Sequence, residues 1–90
     1  MNLAIESDDA DPKLRAAARE AMTGLIGLFE QIISEGIEKG EFSKQNARAL
    51  AGSMVASLEG GIMLSNLYKD AHYLRVITND LRQRVQKGFR

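Results

Sequence analysis

Cysteine is absent from the chain, which removes disulfide frameworks and thiolate metal sites. Proline occurs once, at Pro12, too rarely for a loop-rich or disordered protein. Histidine also occurs once, at His72, in the first turn of a predicted helix with no serine or carboxylate at a triad-like spacing. No phosphate-binding glycine loop or zinc motif is present either. The expectation is a chain with no catalytic residue, no metal and no cofactor, and hence not an enzyme. Charge of one sign is missing too: 12 Lys and Arg face 12 Asp and Glu, so no overall basic field invites nucleic acid. No apolar run approaches the roughly 20 residues of a bilayer span, and Ala49–Leu58 reaches about half of that. Met1 leads straight into polar and acidic residues, unlike a secretory signal. A soluble chain with no membrane partner is expected.

What is present is helical. Asp11-Pro12 is a strong helix start, because Asp accepts from free N–H groups and Pro is pre-set for the first helical position. Apolar residues then recur at Leu14, Ala18, Ala21, Leu25, Leu28 and Ile32. A second row, Met22, Ile26, Phe29, Ile33 and Ile37, lies about 100° further round. Two adjacent rows make a wide apolar arc that must touch more than one neighbour. The helix stops at Lys39-Gly40, where glycine can take the left-handed position. Ser43 is read as the N-cap of a second helix running to about Tyr68, apolar on nearly all sides in its second half. Asp70 can cap a third helix, Ala71–Arg90, with a stripe at Leu74, Ile77, Leu81 and Val85 that Phe89 extends. Asn2 to Glu6 read as the tail of a preceding helix. The predicted fold is all-α, with long antiparallel helices.

Ninety residues form one domain at most, one that buries only roughly 60–65% of the surface its unfolded chain exposes. Such a domain is marginal without a partner. In the second helix Gly52, Ala56 and Gly60 are spaced by four, with Ala49, Ser53, Ser57 and Gly61 beside them. Each interior glycine costs about 1 kcal/mol relative to alanine, and rows of small residues allow close backbone approach. This groove either holds the first helix of the same chain or pairs with a two-fold copy. The Leu74–Val85 stripe, one narrow seam on an end helix, favours the second reading. The last two helices are then expected to form a four-helix bundle across a homodimer, with Gly52, Ala56, Gly60, Leu74, Ile77, Leu81 and Val85 at the interface.

Several segments in order carry a family likeness. Asn2-Leu3-Ala4-Ile5-Glu6-Ser7-Asp8-Asp9-Ala10-Asp11-Pro12-Lys13-Leu14-Arg15, then Phe29, Gly40-Glu41-Phe42, Leu58-Glu59-Gly60-Gly61-Ile62-Met63-Leu64 and the Leu74 to Leu81 spacing span essentially the whole chain. The set resembles the C-terminal half of tetracycline-repressor (TetR) type transcriptional regulators. That resemblance implies a cytoplasmic bacterial repressor whose C-terminal helices enclose a small-molecule pocket and whose last two helices make the homodimer. Operator DNA would be read by an N-terminal helix-turn-helix, which is absent here. The chain is therefore expected to be a single, partial effector-binding and dimerisation domain that does not recognise DNA by itself.

Candidate sites have plain alternatives. Met22, Ile26 and Phe29 facing Met54, Val55 and Leu58 would suit an adaptable pocket for a small apolar effector, or they are ordinary core. Glu59 interrupts an apolar stretch and could meet a cationic effector group. It could equally pair with Arg15 or Arg19, or point to solvent beside the glycines. The acidic run Glu6–Asp11 lacks the ligand spacing and turn glycine of a calcium loop. Arg75, Arg82, Arg84, Lys87 and Arg90 do not share one helix face and read as a solvated surface; the rival reading is a binder of nucleic acid or anionic membranes. A further alternative is a stand-alone helical module that dimerises with a full-length regulator.

Overall fold

The aspartate and proline at positions 11 and 12 open the first helix as their chemistry requires. In the computed structural model, which describes residues 11–90, the Asp11 carboxylate accepts from the Lys13 and Leu14 amides at 3.1 and 3.2 Å. Helix α1 is Pro12–Glu38, α2 is Ala47–Tyr68 and α3 is His72–Gln86. Among the described residues there is no strand, and the chain is all-α. The helical tail read at Asn2–Glu6 and the acidic residues before Asp11 lie outside the described residues.

Glycine ends α1 at the expected place. Gly40 takes φ +76°, its amide donates to the Ile37 carbonyl at 3.0 Å, and Glu41 donates to Gly36 at 2.9 Å. This paired arrangement satisfies two carbonyls that a helix end otherwise leaves open. The start of α2 differs from expectation. Asn46, not Ser43, is the cap, accepting from the Ala49 amide at 2.9 Å. Both residue types cap well; Ser43 is drawn away because its hydroxyl donates to the Phe89 carbonyl at 2.9 Å. The hairpin from α2 to α3 turns through Lys69 in the left-handed region (φ +50°). It is closed by Asp70, which accepts from the His72 amide, and by the Ser65 hydroxyl, which accepts from the Leu74 amide. Helix α3 stops at Gln86 instead of running to Arg90. Gly88 (φ +68°) donates to Val85 at 2.9 Å and Phe89 to Arg84 at 2.8 Å, repeating the ending of α1.

The helices run antiparallel in sequence, with α2 packed against both α1 and α3, while α1 and α3 do not pack on each other. The result is a thin arrangement, 45 × 29 × 16 Å, and its core is correspondingly small. Ile33, Leu50, Ala51, Val55 and Leu81 are the buried apolar residues, with Ile26, Phe29, Ile37, Phe42, Met54 and Phe89 packed around the first three. Of the two apolar rows on α1, the Ile26–Ile33 row faces α2. The other row is largely uncovered among the described residues, and Leu14, Leu28 and Ile32 remain more than half exposed at 57%, 53% and 51%.

The stripe on α3 is placed differently from a seam held back for a second copy. Leu81 is buried within the protomer, and Leu74 and Ile77 are half-buried against Gly61 of α2. A helix in a layer must first cover its own neighbour, and the apolar stripe is what does so. Val85 alone of the four stays exposed, at 41%.

Gly36 tests this packing. A methyl group there would overlap the ring of Phe42, whereas one at Gly24 of the same helix would meet nothing within 4 Å. Alanine at position 24 should raise stability by up to about 1 kcal/mol from helix propensity. Alanine at position 36 should lower it, because overpacking costs about 1–3 kcal/mol. Urea denaturation of the two variants should shift in opposite directions; equal shifts would contradict the Phe42 placement.

Candidate functional site

Each helix contributes apolar side chains to one open cleft at the end where α1 stops and α3 terminates. Phe29, Ile32 and Ile33 come from α1, Phe42 from the link after it, Met54 from α2, Val85 from α3 and Phe89 from the tail. The cleft has a cavity volume of about 130 Å³, room for a single small ring. None of its lining side chains offers a hydrogen bond. An uncharged, apolar molecule is what such a surface can hold.

The cleft's end wall is built by the chain's two glycine-terminated helix ends. The Phe42 and Phe89 rings meet edge to face, centroids 5.0 Å apart. The Ser43 amide donates to the Gly88 carbonyl at 2.9 Å. The Arg84 guanidinium lies over the Phe89 ring at 5.8 Å, which gives this arginine a packing role. A glycine followed within two residues by phenylalanine, at Gly40-Glu41-Phe42 and Gly88-Phe89, was the signal available in the sequence: apolar contacts commonly follow a left-handed helix end.

Of the residues proposed for the pocket, Phe29 and Met54 line this cleft. Val55 is buried, Ile26 packs on the core cluster, and Met22 and Leu58 are half-buried. Glu59 is exposed, so it faces no desolvation that an effector would have to relieve. Among the described residues, an ion pair between α1 and α2 is formed instead by Glu30 and Arg48, at 2.9 Å. Ile32, Ile33, Phe42, Val85 and Phe89 were not among the pocket residues proposed from sequence.

A second surface lies on the outer side of α2. Gly52 and Gly60 have no neighbouring atom within 4 Å of where a Cβ would stand, and Ala56 is exposed. The close approach falls on Gly61, where a Cβ would lie 3.3 Å from Ile77 and 3.4 Å from the Leu74 backbone. A groove beside it is lined by Ser57, Gly60 and Leu64 of α2 and by Tyr73, Val76 and Ile77 of α3. Exposed Met63, Leu67 and Tyr68 continue along α2. His72 sits at this end, its ring edge-on to Tyr73 at 5.6 Å. Arg82 donates to Asn79 at 2.6 Å. Among the described residues no group of three potential metal ligands comes together, and no helix is long and apolar enough to cross a membrane.

Helices of this kind, leaving one apolar cleft and one apolar flank uncovered, suit ligand binding and association. The chain matches, over residues 1–88, the family described as Tetracyclin repressor-like, C-terminal domain, and it belongs to that family. The family comprises regulatory domains that bind ligands and dimerise. Neither the curated proteins nor the solved structures give a significant match.

Proposed function

We propose that the chain is the effector-sensing and dimerisation part of a cytoplasmic bacterial transcriptional repressor. A small apolar effector occupies the cleft beside Phe29 and Met54, and two copies pair through the outer faces of α2 and α3 into a four-helix bundle. The last helix pair contributes Gly52, Ala56 and Gly60, with Val85 at the margin, while Leu74, Ile77 and Leu81 support the pairing face from beneath. In the complete regulator, an effector that binds one arrangement of the helices more tightly shifts its population and so the spacing of the DNA-reading heads. The observation that carries this reading is the excess of uncovered apolar surface. Among the described residues, ten large apolar side chains, from Leu14 to Val85, are more than a third exposed, against a core of five.

Two measurements test the two halves. A panel of neutral hydrocarbons and single-ring aryl compounds should raise the melting temperature saturably, since binding at a hundred times Kd adds about 2.7 kcal/mol to the folded state. No saturable shift with any of them would remove the effector cleft. For pairing, the chain should sediment as a dimer at micromolar concentration. Ala56→Arg, on an exposed position that disturbs no packing within the protomer, should yield a folded monomer with unchanged helical circular dichroism. A dimer that survives Ala56→Arg would mean that copies meet elsewhere.

A further inference from the structure

We infer that the C-terminal residues Gly88–Arg90 form a latch whose closure is coupled to occupancy of the cleft. The inference rests on the cleft reading above and adds how the cleft would act on the rest of the protein. Phe89 holds a left-handed backbone, φ +58°, a conformation that bulky residues rarely adopt and keep only when their surroundings enforce it. The α3 end supplies the Arg84 carbonyl and guanidinium, and the α1–α2 link supplies most of the rest. The Ser43 amide donates to the Gly88 carbonyl and its hydroxyl to the Phe89 carbonyl, both at 2.9 Å. The Gln45 side-chain Nε2 donates to the same carbonyl at 3.4 Å. The Arg90 guanidinium donates to the carbonyls of Lys87 at 3.2 Å and Glu41 at 3.4 Å. The ring itself touches Phe42 on one side and forms a wall of the cleft on another.

A molecule filling the cleft gains contact with the Phe89 ring only while the tail is docked. It therefore binds the latched form better, and by linkage it must favour latching to the same degree. The tail is the continuation of α3, so latching fastens that helix to the α1–α2 link. The other flank of α3 borders the groove proposed for pairing. This gives a physical route from the cleft to the pairing face that runs through Ser43, a residue outside the cleft lining.

The Ser43 amide reports the latch directly, because its acceptor is on the tail. Its hydrogen exchange should be followed by NMR on the full chain with and without millimolar toluene, a neutral single-ring probe. Toluene should slow that exchange about tenfold, inside the roughly 5–150-fold span of ordinary coupling. Ser43→Ala, which removes the hydroxyl bond and leaves the lining intact, should bind toluene about fivefold or more weakly, at the low edge of the same span. Toluene binding with Ser43 exchange unchanged, or Ser43→Ala binding as well as the parent, would overturn the latch and leave the cleft standing. No binding of toluene to the parent chain would overturn both.

Discussion

Ile33→Ala should lower the melting temperature by more than any other single truncation on α1. Ile33 is 2% exposed, the most fully covered large side chain among the described residues. It sits against Leu50 and Ala51, the centre around which Ile26, Phe29 and Phe42 pack. Cutting a buried isoleucine to alanine costs about 2–5 kcal/mol, because transfer energy is lost and the space left does not fully close. Here the neighbours are themselves pinned, Phe42 by Gly36 and Phe89 by the Ser43 bonds, so closure is poor and the upper part of that range is expected. In a domain of this size a loss of about 3 kcal/mol moves the midpoint by roughly 12–24 °C. Ile32→Ala makes the control: the adjacent residue is half exposed and should cost well under half as much. Calorimetry giving equal shifts for the two would contradict the assignment of inner and outer rows on α1.

Leu81→Asp should abolish the fold altogether. Leu81 is 7% exposed, and no described polar or charged residue is buried beside it to compensate a carboxylate. The variant loses the leucine's packing and adds an unpaired charge, a combination expected to exceed about 4 kcal/mol. Helical circular dichroism should fall toward that of an unfolded chain at 25 °C, while Leu81→Met, of nearly equal volume, should cost less than about 1.5 kcal/mol. A folded Leu81→Asp protein would place Leu81 at the surface. One consequence concerns pairing: a monomeric Leu81→Asp sample reports loss of the protomer, not of an interface. Ala56→Arg separates the two, because its side chain starts in solvent.

Local chemistry was the legible part of this fold. Asp11-Pro12 and Lys39-Gly40 bound α1 because capping acts within one turn and needs no tertiary partner. The start of α2 was less legible, since Ser43 and Asn46 both satisfy the local rule and the choice is made 46 residues away, at the Phe89 carbonyl. Periodicity found both rows on α1 but could not say which has a neighbour. The same limit applied to the small residues of α2. Gly52, Gly60 and Gly61 look alike in sequence, yet only Gly61 lies under α3. For the cleft, Phe29 and Met54 were reachable from helix faces. Phe42 and Phe89 were not, because each lies past a helix end, where the path of the chain depends on glycine geometry and on the opposing tail.

The ties between the α1–α2 link and the tail, Ser43 to Gly88 and Phe89 and Arg90 to Glu41, gather at the end of the molecule where α1 stops. Residues 11–21 at the far end of α1 are exposed throughout. Helix α1 is packed on α2 from Ile26 onward, so the arm from there back to Pro12 is roughly 20 Å at about 1.5 Å per residue. A tilt of about 10° at Ile26 moves Pro12 by roughly 4 Å on that arm, so a small rotation where the two helices meet is magnified at the opposite tip.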